Sequence, residues 1–576
     1  MILPERDGET TTSAPSADKA FQPPSATLAG AQIRFQENSL VLMPGAKLDL
    51  VGMDVLRQAG VKPPPGRILL EHGATLNVAG LTDVQRPMSD NYVTIERIGE
   101  NELADSPLLR GGGLFRQKVQ LDIREHGVTD DGRAWVGSPL LNAAGYADQV
   151  PRKIDQMLVD GGSINVIGRE FVARSGSTME LGAGYVHYLG GMVESRRLLG
   201  ADGRRYSLAD ADPSQNYLGL ADAYTLDHQR WDVQEVFASP LGGRERRYES
   251  DYLEGGDAGT LSIRLKQDAS GGANGVESGL LLAGDIHAEA ESGRHQIERG
   301  ELARGGVFKL SVDNGPFTDW RLQSARSEDA PAGFGMNTAL PQQFSADGSR
   351  VTTLSTQLLN AAGFGTVELN DPRAHIEVAA DAQLQVQAGG RIALSGSRIN
   401  VDGGLQAESG DIVLSAAAEF DNQLEAGERR GITVGSGARL STRGQWVNDG
   451  DRIAEQRSGG ANIDGGSIRL STTSRLQNSG GELRDASGAI VLERGAVLDV
   501  SGGGRILPDG RLAQKDGVPL GRGGDIALLT YQPAAGDENS LNGNLPASFH
   551  AADGEAGQLR FQDATVRAGA SPAAGV

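Results

Sequence analysis

Residues of the types that carry enzyme chemistry are sparse and scattered in this 576-residue chain. Asp130 and Asp131, in VTDDG, form the one adjacent aspartate pair. A polysaccharide hydrolase needs two carboxyl groups, one to protonate the leaving oxygen and one to activate water. No Gly-His-Gly or Arg-Ile-Lys accompanies the pair, and Asp-Gly is turn chemistry, so DDG reads as a turn. A calcium-dependent lyase would need several carboxylates converging beside a basic arginine. That lyase or hydrolase reading is the alternative, and the chain is not expected to be an enzyme. Of the eight histidines, His187 and His228 share one segment without a third ligand at metal spacing, so no metal is expected. GGGLF at 111–115 and GGGR at 502–505 lack the Lys-Ser or Lys-Thr of a phosphate loop. Gly521–Asp525 resembles one unit of a calcium-binding repeat, but a single copy makes no such roll. No cofactor is expected.

Binding chemistry is concentrated elsewhere. Eight of the ten tyrosines lie between Tyr146 and Tyr252, and Trp231 stands among them. Arginines occur there at 196, 197, 204, 205, 244, 246 and 247. Aromatic rings and guanidinium groups are favoured where a surface must bind through few residues. One reading makes 186–256 a projecting patch for carbohydrate or protein, with Tyr217, Tyr224, Trp231, Arg246 and Tyr248 as the contact residues. The competing reading makes the same aromatics a small satellite core, since a segment that leaves a regular scaffold must bury something of its own.

The scaffold itself is written in two repeated phrases. The first reads GAKLDLVG at 45–52, GATLNVAG at 73–80, GSTMELGA at 176–183, GARLSTRG at 437–444 and GAVLDVSG at 495–502, with a looser DAQLQVQA at 381–388. Apolar and polar residues alternate in each, which buries one side of a short strand. Glycines at the phrase ends let the chain turn. The second phrase is glycine followed by a strand: GGSINVIG at 161–168, GGRIALSG at 389–396, GDIVLSA from 410, GGSIRLS from 465, GAIVLER from 488 and GDIALLT from 524. Where copies are dense they start about 20 residues apart, a period that belongs to solenoids. Short strands, glycine turns and no helical periodicity predict an all-β chain, a parallel β-helix. At about 22 residues per coil and about 4.8 Å per coil, the rod is expected to be about 85 Å long.

Composition fits that expectation. Glycine supplies 81 residues without a Gly-X-Y period, and aromatics only 5%, which suits a thin aliphatic core. The net charge of −21 argues against nucleic acid or an anionic membrane as the main partner. The longest apolar runs fall short of a membrane span, so no membrane insertion is expected. There is no cysteine, which suits export of an unfolded chain through a pore that a disulfide-closed loop could not thread. The first residues are acidic and polar, unlike a signal peptide. With no recognisable cap at the far end, the chain is expected to be an interior piece of a longer protein. The expected layout is a disordered segment over 1–25, β-helix over 26–185 with an irregular stretch at 100–160, the excursion at 186–256, and β-helix over 257–576 with an irregular stretch at 313–360.

The excursion carries a more specific signal. Gly190-Gly191, Ala201 to Arg204, Ala211 to Pro213, Tyr217 with Gly219, and His228 to Trp231 stand in a series similar to one that interrupts the helix of filamentous-haemagglutinin-like large exoproteins of Gram-negative bacteria. SPLLRGGGLF at 106–115, WVGSPLLNAAGY at 135–146 and LLNAAGFGTVELN at 358–370 resemble the same family. The resemblance implies a right-handed parallel β-helix and a two-partner-secreted adhesin, exported by an outer-membrane partner transporter. It implies an extracellular or outer-surface location, and a ligand on host cells or in polysaccharide. The family's Asn-Pro-Asn secretion motif does not occur here, nor does Arg-Gly-Asp. The chain therefore resembles the shaft of such a protein.

Overall fold

Alternation sends Ile392 and Leu394 of the strand Arg391–Gly396 to a buried side and leaves Ala393 and Ser395 on the other. The next strands of the same phrase repeat this in register, Ile392 beside Ile412, Ile412 beside Ile468 and Ile468 beside Ile526. A computed structural model describes residues 21–53, 66–104, 106, 109, 112–129, 132–228, 230–231, 233–238, 244–266, 279–313, 319–345, 348–416, 431–453, 456–473, 475–477, 483–485, 487–530, 559–561 and 565–567. These residues form an all-β structure with large parallel sheets and a few short helices. Of the segment expected to be disordered, 1–20 lies outside the described residues, and the first strand begins at Ser25.

One sheet has ten parallel strands, from Ser25–Gly30 at one edge to Asp525–Leu529 at the other. Two further sets of parallel strands accompany it. Between 366 and 441 the chain visits the three in strict rotation: Thr366–Asn370, His375–Val378 and Gln383–Gln385, then Arg391–Gly396, Arg398–Val401 and Gly404–Gln406, then Asp411–Ala416, Gly431–Val434 and Arg439–Ser441. Inward side chains of all three sets form one continuous apolar cluster running from Phe35 to Val500. Leu440 and Leu498 stack in register in the third set, and Leu498 is fully buried.

The two phrases separate by sheet. Most second-phrase copies are strands of the ten-stranded sheet, whereas first-phrase copies from 73 onward are strands of the third set. GAKLDLVG, as Lys47–Gly52, is the exception and joins the ten-stranded sheet. GAIVLER also departs, entering the second set as Ala489–Leu492. Gly466 and Gly488 open copies of the second phrase 22 residues apart, but the strands that follow them lie in different sheets, so that spacing is not the length of one coil. From Ser25 to Asp525 the ten-stranded sheet uses 500 residues for nine passes. Nine intervals of about 4.8 Å give a stack about 43 Å long. The expected 85 Å is corrected accordingly, because most passes carry long detours rather than 22 residues.

Glycine serves two distinct purposes. The first-phrase glycines turn the chain in the left-handed region, as at Gly437 with φ +85° and Gly495 with φ +89°. The second-phrase glycines do something turn chemistry does not describe. A Cβ on Gly410 would fall within 3.0 Å of the Gly390 carbonyl oxygen, and one on Gly466 equally close to that of Gly410. Successive passes touch backbone to backbone there, and only glycine fits.

The second and third sets are each interrupted once. In the third, the helix Thr356–Ala361 packs between Asp285–His287 and Gln383–Gln385 where a strand would stand. Ser355 caps it, its Oγ accepting from the Leu358 N–H at 3.1 Å. In the second, part of the irregular stretch at 313–360 folds over the outer face of the sheet. Ala330, Phe334 and Leu340 cover Leu69 and Val172. Beneath them Arg67 and Glu170 pair at 2.6 Å, with the guanidinium 4.7 Å from the Phe334 ring centre.

Candidate functional site

The two longest passes of the ten-stranded sheet are consecutive, from Lys47 to Ser163 and from Ser163 to Thr260. Their detours fold together. The first contributes the pair Tyr92–Ile95 and Val119–Asp122 and the hairpin His126–Val128 with Ala134–Val136. The second contributes the ribbon Gly191–Arg196 with Arg244–Glu249, and an antiparallel sheet ordered Arg205–Tyr206, Leu198–Gly200, Tyr217–Leu220, Ala223–His228, Val233–Ala238. Ile95, Leu121 and Leu140 from one detour share a core with Leu198, Tyr217 and Leu220 from the other. The stretches 100–160 and 186–256, separate in the sequence, thus supply one module with its own interior.

A buried arginine locks the module. Arg124 donates through Nη1 to Glu249 Oε1 at 2.7 Å and through Nη2 to Asp122 Oδ2 at 2.6 Å. The Tyr92 hydroxyl donates to Glu249 Oε2 at 3.0 Å. The guanidinium lies 5.5 and 5.2 Å from the ring centres of Tyr92 and Tyr252. Burial alone would raise the Glu249 carboxyl, but hydrogen bonds from Arg124 and Tyr92 hold it below the ordinary glutamate value. Burial pushes the Tyr252 hydroxyl up to about 12. On the scaffold side His295 meets the Tyr252 ring edge-on at 4.5 Å.

Beside this lock lies an open cleft of about 550 Å³. Arg196, Arg197, Arg205 and Arg247 line it together with Tyr92 and Tyr206. Carboxylates of Asp122, Glu125, Glu194 and Asp210 complete the wall. Arg196 is bound to Asp222 through Nε at 3.1 Å and also through Nη2. Arg205 and Arg247 are exposed. The arrangement offers planar cationic donors, acceptors and aromatic faces within one concavity.

The five contact residues expected from the sequence are dispersed around this cleft, and none lines it. Tyr217 is 2% exposed, its hydroxyl accepting from the Asp212 N–H at 2.9 Å and its ring edge-on to Tyr206. It belongs to the module's core. Tyr224 is half-buried and stacks on Phe237 at 5.1 Å. Trp231 is 69% exposed, at the tip between Ala223–His228 and Val233–Ala238. Arg246 and Tyr248 are exposed on the outer ribbon, Arg246 Nε donating to Glu194 Oε2 at 3.2 Å and Tyr248 lying opposite Met192. The arginine list held four of the cleft residues, and RRYS at 204–207 was the available signal for Tyr206. Tyr92, Asp122 and Asp210 carried none.

Asp130 and Asp131 lie outside the described residues. Among the described residues, no three His, Asp or Glu side chains group to hold a metal ion, and no helix is long and apolar enough to cross a membrane. No protein-family model, characterised protein or solved structure matches this chain.

Proposed function

We propose that the chain is a shaft segment of a secreted or cell-surface bacterial adhesin. Its three sets of parallel strands are the walls of a right-handed parallel β-helix, and the module built by the two longest detours is the surface it presents. One observation carries this reading: a single apolar stack runs through every pass, while two consecutive passes leave it to build a second, separately cored module. Continuous in-register stacking spreads stability along a rod, as solenoids do, and leaves a detour free to carry recognition. A cysteine-free, acidic chain of 576 residues accords with export to the outer surface of a Gram-negative bacterium by a partner transporter. The ligand is placed on host cells, other bacteria or matrix polysaccharide.

Beads coated with the full chain test this against cell monolayers and immobilised polysaccharide. Retention without new reducing or unsaturated sugar ends is expected. Appearance of such ends would transfer the chain to the lyase or hydrolase class, and failure to be retained by any surface would remove the presenting role.

A further inference from the structure

We propose that the arginine-lined cleft binds an acidic sugar of the uronic acid class, its carboxylate held between Arg205 and Arg247. This rests on the module being the presenting surface and names the chemistry that surface takes.

The least committed guanidinium groups of the cleft select the ligand. Asp122 accepts from Arg124 with both oxygens, Glu194 is taken by Arg246, and Glu125 sits 3.9 Å from Arg299. Arg196 is committed to Asp222. Arg205 has no ion pair among the described residues, and neither has Asp210. Arg247 reaches only to 3.7 Å from Glu249, whose two oxygens already accept from Arg124 and Tyr92. Arg205 therefore has no answering charge among the described residues, and Arg247 has only a long contact to a carboxylate that Arg124 already holds.

A planar carboxylate accepts two parallel hydrogen bonds from the guanidinium fork, which a hydroxyl cannot do. Asp210 can accept from ring hydroxyls, and Tyr92 and Tyr206 offer flat faces for the apolar side of a sugar ring. A volume of about 550 Å³ lies within the range of small-ligand sites and admits a short piece of glycan. A neutral sugar covering the cleft would leave Arg205 desolvated without an anionic partner, which costs affinity. An acidic peptide would satisfy the charge but make no use of the aromatic faces.

The test is titration of the full chain with an unsulfated, glucuronate-containing tetrasaccharide, its carboxyl-reduced counterpart, a sulfated neutral tetrasaccharide and a short poly-glutamate peptide. Saturable binding of the first is expected. Carboxyl reduction, Arg205→Ala and Arg247→Ala should each weaken it by about tenfold or more. Arg205→Lys should restore only part of the loss, since a point charge lacks the fork. Equal binding of the reduced or sulfated sugar, equal binding of the peptide, or indifference to Arg205→Ala would overturn the assignment. The two readings separate in the bead assay. Retention that survives the Arg205→Ala, Arg247→Ala double variant keeps the adhesin and removes this ligand. Tetrasaccharide binding by a chain that no surface retains keeps the ligand and removes the adhesin.

Discussion

Arg124 and Glu249 meet through two hydrogen bonds, Nη1 to Oε1 at 2.7 Å and Nη2 to Oε2 at 3.1 Å, although 125 residues separate them. The first detour supplies the arginine and the second the carboxylate, each side chain about nine-tenths buried. Neither detour can leave without stranding a charge. That turns two loops of adjacent passes into one module and sets one wall of the cleft, since Tyr92 and Asp122 belong both to the lock and to the lining.

Glu249→Gln should therefore loosen the module by about 2 kcal/mol, because a buried guanidinium loses one of its two partner carboxylates, the one that ties the detours together. The scaffold should hold. Hydrogen exchange at Gly191–Arg196 compared with Arg391–Gly396 reads the two separately, and equal loss of protection at both would refute a local lock. The acid dependence follows the same pair. Glu249 has a folded value below its ordinary one, so its contribution is present above the ordinary glutamate range, about 4.3, and is lost as pH falls through the folded value. Glu249→Gln should remove that part of the acid sensitivity.

His295 predicts a second pH effect, at higher pH. It packs against Tyr252, with Arg294 and Glu249 near its Nε2, Glu298 near its Nδ1 and Arg124 also acting on it. Burial, then the two arginines, lower its value below the ordinary one. Neutral imidazole is the folded form, so stability is present above the ordinary histidine value, about 6.5, and is lost as pH falls from there towards the folded value. His295→Phe keeps a ring on Tyr252 and cannot be protonated. The drop in melting temperature between pH 7.5 and 5.5 should be smaller in the variant, and an unchanged drop would place the titration elsewhere.

The two uses of glycine make opposite demands on space. Gly466→Ala puts a methyl against the Gly410 carbonyl, and two passes must separate, at a cost of about 3 kcal/mol. At Gly495, where the nearest atom to a Cβ would be the Gly437 nitrogen at 3.7 Å, alanine meets room but a left-handed backbone. About 1 kcal/mol is expected there. Thermal melts of the two variants order the effects, and a larger loss at Gly495 would contradict the backbone contact.

These glycines show what was legible in the sequence. Alternation at Leu498 and Val500, or at Ile392 and Leu394, gave the buried side of each strand because a period of two has one solution once an apolar side exists. The phrase could not reveal which sheet a copy joins. GAKLDLVG and GATLNVAG are alike as words, yet Lys47–Gly52 and Thr75–Asn77 lie in different sheets, a choice made by the chain between them. The lock was invisible for a similar reason. Arg124 lies in LDIREHG and Glu249 in RRYESD, and no local pattern connects them. Candidates drawn from aromatic content alone mixed residues that fill the module with residues that face solvent.

Tyr217 and Trp231 are the sharpest instance of that mixture, and they predict different outcomes for the same substitution. Tyr217 is 2% exposed between Tyr206 and the Asp212 backbone, so Tyr217→Ala empties part of the module's core and should cost about 3–4 kcal/mol there. Its effect on binding, if any, would follow from that loss. Trp231 is 69% exposed, so Trp231→Ala should leave stability within about 0.5 kcal/mol. Retention of the bead-bound chain by cells should then fall without any change in the protease resistance of 191–249. If Trp231→Ala retains full attachment while Tyr217→Ala abolishes it in step with module unfolding, the hairpin tip is not a contact and recognition is confined to the cleft.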